Sequence, residues 1–158
     1  MKVGAWVSLD APISPRWLAI RDERVASPIV RLTPKYVHAL ALSLISYLPD
    51  DKDHWQKPRE TIARKAGDCE DIAILERAML IAAGFDPRDL WVLVGNDLVA
   101  REVHAVLVVE SFYLDCRTPK VLRLSRLTEF QPIAAYGETQ LTFGKPVRVR
   151  SQTKLEGE

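Results

Sequence analysis

The chain has 158 residues, enough for one domain with a full core and too few for two comfortable ones. Apolar residues make up 47% and charged residues 27%, a globular balance that excludes general disorder. With 22 Lys and Arg against 21 Asp and Glu, the net charge of +1 gives no electrostatic case for a nucleic acid or a membrane surface as partner.

The start, Met1-Lys2-Val3-Gly4-Ala5-Trp6, has no long apolar run, so no signal peptide is expected and the chain reads as cytoplasmic. No apolar run is long enough to span a bilayer. Residues 1–32, with Pro12, Pro15 and Pro28, read as an irregular or short-stranded arm. Thr33-Pro34 is an N-cap followed by proline at the first helical position. The periodicity then predicts a helix over Lys35–Leu48, with Val37, Leu40, Ala41, Leu44, Ile45 and Leu48 on one stripe. Pro49 and Asp50 end it. A polar loop follows to Arg59, then a helical turn over Glu60–Lys65 that Gly67 breaks.

Asp68 is a good N-cap, and Asp71 three residues on reaches back toward it. The second helix covers Cys69–Ala83, with Gly84 as its C-cap. The period then changes. Strands are expected at 90–95, 103–110 and 112–117, separated by turns at Gly95-Asn96-Asp97 and Glu110-Ser111. Weaker strand signals cover 122–127 and 139–149, and the tail 151–158 reads as frayed. Helices first and an antiparallel meander after them argue for a single α+β domain.

The segment Gly67-Asp68-Cys69-Glu70-Asp71 carries the chemistry. A thiol at a helix start is a candidate nucleophile, because the helix dipole favours its thiolate. Three flanking carboxylates act against that thiolate. A nucleophilic thiol also needs a base, and the base an orienting acceptor. His104 on one strand and Asp115 on the next supply both types, and they can be cross-strand neighbours. Each residue has a plainer reading as well: Cys69 as a small core residue, His104 as a satisfied strand residue, Asp115 as a turn residue, the acids as dipole complements. Cys116 is expected to face away from Asp115, as strand alternation requires, and to be a core cysteine. Two cysteines make no disulfide framework, and no Cys-x-x-Cys or His-x-x-x-His pair points to zinc.

Trp55-Gln56-Lys57-Pro58-Arg59-Glu60-Thr61, Gly67-Asp68-Cys69-Glu70-Asp71 and Ala73, then Gly84, Gly95, His104-Ala105-Val106-Leu107 and Leu114-Asp115, form one pattern. It resembles the bacterial transglutaminase-like cysteine proteinases of the LapG type, over roughly residues 47–117. The resemblance implies a papain-like or transglutaminase-like fold, with N-terminal helices packed on an antiparallel sheet. It implies Cys69 as nucleophile, His104 as base and acid, and Asp115 as orienting carboxylate. It also implies a calcium ion held by Asp68, Glu70 and Asp71, beside the plainer reading in which Asp68 and Asp71 only cap the helix. The implied activity is hydrolysis of a peptide bond in a protein substrate, through a thioester. Acyl transfer to an amine is the alternative on the same triad. The backbone N–H of Cys69 is the natural oxyanion donor. Trp55 is either a second donor or a packing residue. The best-known members of the family act in the periplasm on surface adhesins, and the absence of a visible export signal here favours a cytoplasmic enzyme; a monomer is expected. A virion-associated phage protein with this fold is the other expectation.

Overall fold

The structure, a computed structural model, describes residues 1–26, 32–50 and 52–145. The expected frayed tail at 151–158 and the end of the strand expected at 139–149 lie outside them. The elements in chain order are β1 (Lys2–Val3), β2 (Trp6–Ala11), α1 (Pro15–Arg21), α2 (Pro34–Leu44), β3 (Ser46–Tyr47), α3 (Pro58–Arg64), β4 (Ala66–Gly67) and α4 (Cys69–Ala82). They continue with β5 (Leu90–Asp97), β6 (Glu102–Val109), β7 (Phe112–Leu114), β8 (Val121–Arg123), β9 (Phe130–Tyr136) and β10 (Gln140–Gly144). No helix among the described residues is long and apolar enough to cross a membrane.

Eight strands form one curled sheet in the order β1-β2-β10-β9-β5-β6-β7-β8, and every neighbouring pair is antiparallel. The α+β expectation holds, and the helices pack on this sheet as anticipated. Strand alternation divides the core into two faces. Val92 of β5 and Ala105, Leu107 and Val109 of β6 pack with Ala73, Ile74 and Leu80 of α4 on one face. Leu93, Val106 and Val108 turn to the other, where Val3, Tyr113, Phe130, Ala135 and Leu141 meet them. Contacts with α2, α3 and both central strands surround α4, so Ile72 through Ala78 are all buried, Glu76 and Arg77 included.

The arm expected to be irregular or short-stranded carries two strands and a helix. Here β2 pairs with β10 along five residues, and α1 is capped by Ser14 with Pro15 at its first position. Its Trp17 is 1% exposed and donates its indole N–H to the Gly137 carbonyl at 2.7 Å. The cap at Thr33 is as expected, its hydroxyl accepting from the Tyr36 N–H. But α2 stops at Leu44, four residues early. Ile45 is extended and buried, and Ser46–Tyr47 pair in parallel with Ala66–Gly67. The apolar stripe narrows to match: Val37 and Ala41 are buried, whereas Leu44 and Leu48 are exposed. Lys65, in the left-handed region at φ 53°, ends α3, so Gly67 is not the breaker but a strand residue.

Gly95-Asn96-Asp97 is not a turn. All three residues pair with both β6 and β9. The reversal comes one step later because the Asp97 carboxylate accepts the N–H groups of Val99 and Ala100. Gly95 is required where it stands. A Cβ there would lie 2.4 Å from the Gln131 carbonyl oxygen and 2.5 Å from the Phe130 ring. The approach of β9 is that close because the β5–β9 register shifts at Val94/Gly95.

Candidate active site

Cys69 is the first residue of α4, and a capping box fixes that helix start. The Asp68 carboxylate accepts from the Asp71 N–H at 3.4 Å, and the Asp71 carboxylate accepts from the Asp68 N–H at 3.1 Å. The second Asp71 oxygen accepts from the Gln56 N–H at 2.8 Å, which ties the tryptophan loop to the helix. Gly67 makes the box fit, since a Cβ there would meet the Asp71 Cβ at 2.7 Å.

His104 enters from β6, opposite Gly95 of β5. Its Nε2 lies 2.9 Å from the Asp115 carboxylate, and both side chains are buried. Asp115 stands one residue beyond β7, whose last residue Leu114 pairs with Leu107. The bond thus forms without direct cross-strand pairing. Cys69, His104 and Trp55 line one cavity of about 150 Å³, together with Arg16, Glu70 and Tyr136. The three residues expected to act together are therefore brought to one place.

The thiol does not point its proton at His104. It donates to a Glu70 carboxylate oxygen at 3.1 Å. Burial pushes the Cys69 pKa up, and the charge and hydrogen bond of Glu70 push it further. The Ala105 backbone N–H opposes them and is outweighed. Burial first and the neighbouring carboxylate after it thus favour the protonated thiol at this helix start. Asp115 goes the other way. Burial alone would raise its pKa, but bonds from His104 and from the Arg117 side chain and backbone hold it well below the usual carboxylate range.

Arg117 escaped sequence reasoning. Its guanidinium binds Asp115 at 2.8 Å and Asp97 at 2.7 Å, joining the end of β5 to the Asp115 carboxylate. The only signal was the Asp-x-Arg spacing. Cys116 corrects an expectation. Because β7 ends at Leu114, alternation no longer applies, and the Cys116 sulfur lies within 4.8 Å of ligand atoms of both His104 and Asp115. Its thiol is pushed up to about 12, chiefly by burial. Arg16, in the arm that carried no assignment, also lines the cavity, with its guanidinium carbon 4.0 Å above the Trp55 ring.

The three acids proposed to hold a metal differ among themselves. Burial lifts Asp68 to about 6 and Asp71 to about 7. Both Asp71 oxygens already accept backbone N–H groups. Among the described residues, the group that brings one ligand atom each within 4.8 Å is His104, Asp115 and Cys116, not Asp68, Glu70 and Asp71.

Comparison with known proteins bears on the family and the fold. Residues 42–139 match the family model described as bacterial transglutaminase-like cysteine proteinase BTLCP. Among solved structures, Legionella pneumophila LapG superposes with a TM-score of 0.66 at 22% identity, covering 84% of this chain and 76% of that one. Its calcium-bound form superposes with a TM-score of 0.66 at 24% identity, over 89% and 80%. The EGTA-treated form gives 0.67 at 22% identity, over 85% and 75%. No curated protein is similar enough in sequence to count as a match.

Proposed function

Because the chain belongs to the bacterial transglutaminase-like cysteine proteinases, we propose that it hydrolyses a peptide bond of a protein substrate with Cys69, His104 and Asp115. The observation that carries this reading is the His104–Asp115 bond at 2.9 Å, in a cavity that Cys69 shares from a helix start. Asp115 engages Nε2, which leaves Nδ1 of His104 to serve the thiol. Rotation of the Cys69 side chain away from Glu70 hands its proton to that nitrogen. The thiolate then attacks the substrate carbonyl. The Cys69 N–H, at the first helical position with no intrahelical acceptor, faces the developing oxyanion. The Trp55 indole N–H is a second donor. Its ring lines the cavity beside Cys69, and its N–H has no acceptor among the described residues. His104 returns the proton to the leaving amine, and water releases the acyl group.

Calcium belongs to the same proposal. Support comes from the calcium-bound form of the similar LapG and from the hard oxygen donors at the start of α4. Glu70 and the buried Asp68 fit a cation. Asp71 is engaged by backbone N–H groups and would orient rather than bind. When bound, the ion would neutralise the carboxylate charges that raise the thiol pKa.

The test is thiol labelling beside turnover. Iodoacetamide should modify Cys69 at neutral pH in calcium at least tenfold faster than Cys116, and Cys69→Ser should abolish cleavage of a denatured protein mixture. Equal, slow labelling of both cysteines would remove the nucleophile. Amine incorporation measured in the same mixture separates acyl transfer from hydrolysis.

A further inference from the structure

Arg16, Asp53 and Trp55 line two cavities. One holds Cys69. The other, about 240 Å³, lies against Ala19 and Ile20 of α1 and carries Lys57 and Glu60 on its walls. Resting on the peptidase reading above, we propose that this second cavity is a substrate subsite for an acidic side chain, its carboxylate taken between Arg16 and Lys57.

Arg16 is firmly placed. Trp17, its neighbour, is buried and bonded to Gly137, and Ser14 donates its N–H to the Gln140 side chain at 2.8 Å. The helix is thus fastened to the β9–β10 end of the sheet. Stacking on Trp55 then holds the guanidinium plane at the boundary of the two cavities. A planar, pre-placed guanidinium suits a carboxylate, which it can bind through two parallel N–H groups.

The present partner of Arg16 is weak. Nη1 alone reaches Asp53, at 3.3 Å to the carboxylate and 3.4 Å to the carbonyl, long for a charge-assisted bond. The Asp53 side chain is 76% exposed, so the pair adds little and can be exchanged. The other two guanidinium nitrogens have no partner among the described residues. Lys57 is exposed and makes no side-chain bond or ion pair among them. The acids nearby are engaged: Glu60 by His54 at 3.1 Å and Arg64 at 3.7 Å, Glu70 by the Cys69 thiol. Two cations with replaceable or absent partners therefore face this cavity, with Ala19 and Ile20 available to the methylenes of a Glu or Asp. Because Trp55 stands between the cavities, the acidic residue falls outside the pair flanking the scissile bond, on one side of it.

A peptide library made by digesting a whole proteome, with cleaved ends identified by mass spectrometry, tests this directly. Wild-type protein in calcium should show Asp and Glu enriched roughly fivefold at one fixed position, the scale of an exposed ion pair. The double variant Arg16→Glu, Lys57→Glu should lose that enrichment and favour Lys or Arg at the same position. Thermal melting within about 2 °C of wild type shows that both substitutions, at exposed positions, leave the fold intact. Cleavage with no acidic preference, or with the same preference in the double variant, overturns the subsite alone. No cleavage by wild type, with Cys69 inert to iodoacetamide, overturns the peptidase reading and the subsite with it.

Discussion

Burial and Glu70 together set the state in which Cys69 rests. A helix start and an Ala105 N–H favour the thiolate, while burial and an adjacent carboxylate favour the thiol, and the second pair prevails. Glu70→Gln removes the charge and keeps the shape. In EGTA, its Cys69 should alkylate roughly tenfold faster than wild type at pH 7, because a lower pKa raises the thiolate fraction. An unchanged pH–rate profile would mean that burial alone sets the pKa. Arg117 acts on Asp115 in the opposite sense. A carboxylate whose folded pKa is depressed contributes stability above its unfolded value of about 4, and loses it as pH falls toward the folded value. Arg117→Gln weakens that contribution. It should melt below wild type at pH 7, and the gap should close as pH drops below about 4. A gap that stays constant with pH would assign Arg117 a role independent of Asp115.

The start of α4 is an element under electrostatic strain. Its two buried aspartates titrate near 6 and near 7, above the unfolded carboxylate value of about 4. The folded state therefore holds more protons than the unfolded one in that window, so stability falls as pH rises through it. Metal-free protein should melt higher at pH 5 than at pH 7.5, and Asp71→Asn should flatten the slope. A rising slope over the same range would show that neither aspartate titrates there. The capping box itself was legible, because Asp68 and Asp71 sit three apart before an apolar run. So were β5 and β6, whose apolar runs are long and uninterrupted. The rest was masked by local chemistry. No strand was expected over 130–136, yet β9 lies in the middle of the sheet, with Pro132, a residue that cannot donate to a ladder, opposite Gly95 just where the register shifts. In β2 the apolar Val7 and Leu9 are the exposed residues, so its alternation marks no buried face, and pairing with β1 and β10 makes it a strand. The end of α2 depended on Gly67, a partner that no local pattern announces.

The proposed nucleophile, Cys69, stands on a helix, its proposed base His104 on the sheet and Asp115 just beyond β7, so the molecule must hold the two layers in register. His38 of α2 does this from within. It is fully buried, its Nδ1 lies 3.0 Å from Glu76 of α4, and its Nε2 donates to the Thr118 carbonyl. The Thr118 N–H in turn donates to the Asp115 carbonyl at 3.1 Å. Two helices and the turn after β7 thus meet at one imidazole, in a place the sequence marked only as a lone histidine. Removing His38 strands a buried carboxylate, which costs about 3–5 kcal/mol. His38→Ala should therefore lower the melting temperature by roughly 10 °C for a chain of this size. Glu76→Gln keeps a hydrogen-bonding partner for the ring and should lose less than half as much. In the His38→Ala protein the Asp115 turn also loses its anchor, so turnover should fall even well below the melting point. If turnover there matches wild type while the melting temperature drops, the buried pair supports the fold and leaves the placement of Asp115 to Arg117.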